Sequence, residues 1–171
     1  MLNIIVAGTN FYGLPGVITY YQKGFIVKSV ITASAIFFST IYHLVEKNKH
    51  NMPGIGYFQD DGSQIVLHVL DRTGAILSVL IGLHHIYIKN IPILPLIGWG
   101  FIGTIAEIIP EIISGLYSSG RHDSIISTWI VNWLNPTKYK INKHIEHTIY
   151  TIGHCIWHLS MFHISNIISR Y

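Results

Sequence analysis

The sequence predicts an all-α, polytopic membrane helix bundle of five to seven transmembrane helices, and three observations predict it. Half of the 171 residues are hydrophobic and only 11% are charged, against roughly a quarter charged in a soluble domain. Mean hydropathy is +0.43. The apolar residues are gathered into runs near the ~20 residues that cross ~30 Å of hydrocarbon. Charge this sparse excludes a disordered chain and a nucleic-acid-binding one, both of which need charge density. The net surplus of three positive charges has a role only at an anionic membrane surface. The single cysteine, Cys155, can make neither an intrachain disulfide nor a thiolate cluster.

The elements follow in order. A first span is read at 3–21; no basic stretch precedes it, which argues against a cleaved signal. The second, 24–45, is apolar apart from Lys28 and small hydroxyl residues. Residues 46–62 concentrate charge, proline and glycine and read as an exposed connection. The third span, 63–88, carries Asp71 and Arg72 inside it, and the fourth, 91–109, is entered through Pro92 and Pro95 and closed by Pro110. Between 110 and 145 the apolar pieces 111–119 and 124–134 are too short to cross a bilayer. They read as short interfacial or re-entrant helices, with Trp129 and Trp133 and the basic stretch behind them forming an interface belt. The last span, 146–169, carries Trp157 with His154, His158 and His163. There is no internal repeat and no connection long enough for a second domain, so 1–171 is one integral-membrane domain. The Lys and Arg distribution favours a cytoplasmic N-terminus.

An ionisable group inside hydrocarbon is costly, by about 2.5–3.5 kcal/mol on insertion scales, and asks for a partner or a task. Ser39 and His43 are four apart in the second span and share a helix face. His154 and His158 repeat that spacing in the last span, and two imidazoles one turn apart can hold a single zinc ion. A third ligand must come from another helix, and His43 is the candidate. Three histidines with one open position make a catalytic type of zinc site, and Asp71 is placed to orient a water there and accept its proton. Depth agrees: His43 ends one span and Asp71 lies two turns into the next, so both sit near one membrane face. His154 and His158 reach that depth only if 110–145 crosses zero times or twice, giving five or seven spans.

Singly, such residues more often bond a neighbouring helix; together, the pair, the Ser-x-x-x-His and the aspartate point to a metal. His163 falls on the opposite face of its helix, His84 and His85 read as interfacial, and His68 lies one turn before Asp71. Arg72 is expected to reach toward the interface, and Glu107 to reach water at a helix end.

Three strings carry a family resemblance: Ser-Thr-Ile-Tyr-His at 39–43, Val-Leu-His-Val-Leu-Asp-Arg-Thr-Gly at 66–74 and His-Cys-Ile-Trp-His at 154–158. On these the chain resembles the CREST superfamily, which includes alkaline ceramidases, progestin and adiponectin receptors, hemolysin-III-like proteins and lipid-remodelling factors of GPI anchors. The local wording is most similar to its transmembrane protein 8 and myomaker branch. The resemblance implies a seven-helix bundle and a Zn2+ held by His43, His154 and His158, with Asp71 as base and Ser39 as a hydrogen-bond partner. It also implies hydrolysis of an amide or ester bond in a membrane lipid. The alternative expectation is a non-enzymatic receptor or fusion-type protein with a structural zinc site.

Overall fold

Inside hydrocarbon no water is available to backbone N–H and C=O groups, so a chain of this composition must satisfy them within helices. In the computed structural model, which describes residues 2–47, 52–117 and 143–171, it does so. Helix α1 spans Leu2–Thr9, a 3₁₀ turn Asn10–Gly13, and α2 Leu14–Gln22; then come α3 Ile26–Val45, α4 Asp61–Lys89, α5 Leu94–Tyr117 and α6 Lys143–Ile168. The described residues contain no strand, only one isolated bridge between Lys47 and Pro53.

Four segments are long and apolar enough to cross a membrane: Leu2–Gln22, Ile26–Val45, Asp61–Lys89 and Leu94–Ile113. Helix α6, at 26 residues, has the length, but its histidines, Glu146 and Asn166 leave it more polar. Large hydrophobic side chains line the outside, Val66, Val69, Ile76 and Leu80 of α4 among them, while Asn3, Asn10, His43 and Glu46 are buried. That is the reverse of a soluble domain and the arrangement hydrocarbon requires.

The break in the first span has a local cause. Pro15, in the first turn of α2, has no N–H to continue the α-helical ladder, and the buried Asn10 turns its side chain back to the Ala7 carbonyl at 3.3 Å. Helix α4 begins at an N-cap, where Asp60 accepts from the Ser63 N–H at 2.8 Å. That bond holds the Asp60 carboxyl below its ordinary range.

Helix α3 runs alongside α1, α2 and α4, and α6 packs along α5 and against α1 and the 3₁₀ turn. Small residues set the close approaches: a Cβ on Gly74 would lie 2.9 Å from Ala35 Cα, at the crossing of α4 and α3. Among the described residues α4 and α5 do not pack against each other, and a cavity opens between the two halves of the bundle.

One expectation is corrected. The fourth span does not close at Pro110; α5 continues through it to Tyr117, so residues 111–117 extend that helix and do not start a separate one. Proline removes the bond to the carbonyl of Ala106, and α6 covers this spot: a Cβ on Gly153 would lie 2.4 Å from Ala106 O and 2.6 Å from Pro110 Cγ. A neighbouring helix of this kind is what makes proline tolerable inside a membrane helix. His85 lies near the C-terminal end of α4, where it is enclosed by protein and sits edge-on to Tyr20 and Phe25. The remainder of 110–145, with Trp129 and Trp133, lies outside the described residues.

Gly153→Ala is therefore expected to destabilise the protein by about 1–3 kcal/mol, since a backbone carbonyl cannot turn aside. Gly98→Ala, with nothing within 4 Å, serves as the neutral comparison. Thermal unfolding of both variants in detergent checks this, and equal midpoints would refute it.

Candidate metal centre

The site forms where the C-terminal end of α3 meets the middle of α6. A helix leaves its last four carbonyls without partners, and here each is taken up. Asn3 donates to the carbonyls of His43 at 2.8 Å and Glu46 at 3.0 Å. The Ile55 N–H reaches Leu44 O at 2.8 Å, Gln64 donates to Val45 O at 2.7 Å, and the Glu46 N–H closes on Tyr42 O at 2.7 Å. The N-terminal helix, the 52–60 connection and the start of α4 thus all fix the end of α3 that carries His43.

His43, His154 and His158 are buried, and one ring nitrogen from each lies within 4.8 Å of the others. The three lie close enough to bind a metal ion. His43 Nε2 and His154 Nε2 are 3.0 Å apart, near the roughly 3.3 Å expected of two nitrogens on one tetrahedral zinc. Ser39 Oγ lies 3.5 Å from His158 Nε2, at the rim of the same space.

The outer nitrogens show what the inner ones offer. His43 Nδ1 is 3.0 Å from Glu46 Oε2. Glu46 also accepts from Tyr42 at 3.1 Å and from Tyr150 at 2.8 Å, so it acts as an ionised carboxylate and His43 Nδ1 carries the hydrogen. His154 Nδ1 lies 2.8 Å from Glu107 Oε2, within ion-pair distance but without hydrogen-bond geometry. His158 Nδ1 is 2.9 Å from Thr9 Oγ1. Thr9 spends its one hydroxyl hydrogen on Val6 O at 2.6 Å, so its oxygen accepts from His158. These bonds assign the hydrogen of His43 and of His158 to Nδ1 and turn their Nε2 lone pairs inward. Outer partners that orient imidazoles in this way are the usual companions of metal-ligating histidines. The donor set therefore fits a nitrogen-binding divalent ion.

Asp71 is half-buried on α4 and is not among the atoms close enough to be ligands. It faces the same cavity as Ser39 and the three histidines. That cavity has a volume of about 500 Å³ and continues between apolar walls to Leu96, Ile97 and Ile168 at the opposite end of the bundle. His68 packs against the Tyr42 ring at a tilt and accepts from Arg72 Nε at 3.0 Å. His163 is turned away, against Tyr12 and Trp99.

Glu107, expected to reach water near a helix end, is 27% exposed and also lies 2.8 Å from His154 Nδ1. Glu46 is not part of an exposed connection but is 1% exposed. Its sequence signal is its position three residues after His43, which puts both on one helix face; Tyr150, one turn before His154, carries the same signal. Thr9 has none, since only the fold brings α1 to α6.

Residues 1–106 match the model of a family described as "Protein of unknown function (DUF3522)". The chain belongs to this family. The matched segment holds Ser39, His43 and Asp71 and ends before Glu107, His154 and His158. A relative from Acanthamoeba polyphaga mimivirus, "Uncharacterized protein L282", is 31% identical over 166 residues, covering 95% of this chain and 92% of its own length. No solved structure matches the chain.

Thr9→Val keeps the shape and removes the acceptor for His158 Nδ1–H. Metal affinity, measured by competition with a chromophoric chelator, is expected to fall about 10–100-fold, the usual effect of losing an outer partner. Thr9→Ser should restore it. Unchanged affinity in Thr9→Val would show that the hydroxyl does not orient the ring.

Proposed function

We propose that the protein is a multi-pass membrane hydrolase that uses zinc to cleave an amide or ester bond in a membrane lipid. The observation that carries this reading is the single cavity on which Ser39, Asp71 and the three histidines border, with an apolar continuation along the bundle. A site that only ties helices together has no need of such a space, whereas a lipid substrate needs room for its chain beside the reacting group. The resemblance of the three motifs to the CREST superfamily supports the same assignment.

In this reading His43, His154 and His158 hold the ion. Zinc bound by three histidines with a fourth position open supplies a Lewis acid that polarises a carbonyl and makes water nucleophilic near neutral pH. Asp71 takes the proton of the attacking water and returns it to the nitrogen or oxygen that leaves. The Ser39 hydroxyl donates to the substrate oxygen on which charge develops. Glu46 and Thr9 keep the rings of His43 and His158 in one tautomer and orientation, and Glu107 lies beside His154. The apolar walls exclude bulk water and strengthen each of these interactions.

The second reading, a receptor or fusion-type protein with structural zinc, is supported by the way ligands and their partners join α1, α3, α5 and α6. The two readings separate on one pair of measurements. Zinc near one equivalent per chain is expected in the purified protein and is expected to be lost in His43→Ala and His154→Ala. Asp71→Asn should keep the zinc and lose release of fatty acid from lipid amides or esters by about 10²-fold or more. Zinc with no lipid turnover in the unaltered protein would leave the structural role, and no zinc binding at all would end both.

A further inference from the structure

Arg72 has no part in the reaction proposed above, yet it stands on the same cavity. It is the only lysine or arginine among the residues that line that space. It lies about 16 Å along α4 from the start of the helix at Asp61, a depth at which a guanidinium is costly and asks for a partner. The bundle supplies little. Arg72 Nε donates to His68 Nε2 at 3.0 Å, and among the described residues the two terminal nitrogens have neither a hydrogen-bond nor an ion-pair partner. Asp71 does not neutralise it, because adjacent residues on a helix project about 100° apart.

The group is nonetheless held in place. His68 lies one turn before Arg72 and packs against the Tyr42 ring, with centres 5.2 Å apart, and Tyr42 lies 5.0 Å from the His43 ring. A row of three rings thus links the arginine to the metal centre. The Nε bond turns the guanidinium back toward the start of α4, the direction in which helical side chains lean, and orients its planar fork. Snorkelling toward water explains that direction. It does not explain why the residue borders the space shared by Ser39, Asp71 and the three histidines.

Four N–H donors in one plane and a positive charge match an anion with two or more acceptor oxygens. A phosphate has that geometry. The rest of the cavity indicates what carries it: its walls become apolar along the bundle, through Ala75, Val79, Leu83 and Ile97, so the anion belongs to a molecule with a hydrocarbon chain. We infer that Arg72 is a specificity-determining residue that binds the phosphate of a phospholipid whose chain lies along the cavity. This deepens the hydrolase reading and rests on it for the cavity's occupant; it makes the substrate a phosphorylated lipid in preference to a neutral one.

Binding of phosphatidic acid and of diacylglycerol with the same acyl chains, measured on the full chain in neutral detergent, tests this. The unaltered protein is expected to bind phosphatidic acid more tightly by about tenfold or more. Arg72→Gln is expected to abolish most of that preference, and Arg72→Lys, which keeps the charge without the fork, to reduce it less. Lys28→Gln removes a charge from the first turn of α3, at the other end of the bundle, and should leave the preference unchanged; an equal loss there would reduce the effect to general attraction and overturn the inference. A second measurement needs no variant to fold. Phosphatidic acid is expected to protect Arg72 of the unaltered chain from an arginine-directed dicarbonyl reagent, read by mass spectrometry, whereas diacylglycerol and inorganic phosphate are not. Equal protection by inorganic phosphate would assign the contact to the free ion and overturn the lipid. Equal binding of the two lipids, or an unchanged preference in Arg72→Gln, would overturn the inference as well. No step here requires turnover, so a protein that prefers phosphatidic acid but cleaves no lipid would refute the hydrolase reading alone.

Discussion

A neutral imidazole has one nitrogen that donates and one that accepts, and the bundle depends on how that choice is made three times. Glu46 and Thr9 take the Nδ1 hydrogens of His43 and His158, and Glu107 lies within ion-pair distance of His154 Nδ1. The Nε2 atoms of His43 and His154 face each other at 3.0 Å. In a low-dielectric interior two lone pairs at that distance repel unless a cation or a proton stands between them. The outer hydrogen bonds thus shape a pocket of ring nitrogens close enough to bind a metal ion.

Much of the fold serves to hold these outer partners. Glu46 is a buried carboxylate, tolerable because two tyrosines and His43 surround it with donors. Asn3 ties α1 to the end of α3, and the 3₁₀ turn behind Thr9 redirects the first span past α6. Glycine at 153 lets α6 settle on the Ala106 carbonyl beside Pro110, one residue before His154 and three after Glu107. Outside, α4 exposes Val66, Val69, Ile76 and Leu80 on the side away from α3.

The helical class, the long segments and the meeting of His43 with His154 and His158 were legible in the sequence. Each rests on a periodic signal: apolar runs of spanning length, or polar residues four apart on an apolar helix. What escaped has no such period. Glu46 and Glu107 look like the polar ends of helices until the fold shows what lies beside them, and Thr9 meets His158 across 149 residues of chain. Pro110 was misleading because the rule that proline ends a helix assumes water nearby, whereas here a neighbouring helix covers the freed carbonyl. The enclosure of His85 by Tyr20, Phe25 and Lys28 also had no sequence signal, since only the fold brings those residues to the end of α4.

X-ray absorption at the metal edge of the purified full chain tests the convergence of the three rings most directly. A first shell of three imidazole nitrogens near 2.0–2.1 Å with one lighter oxygen or nitrogen neighbour is what this arrangement predicts for zinc. A sulfur scatterer from Cys155, or a shell with a single imidazole, would contradict it.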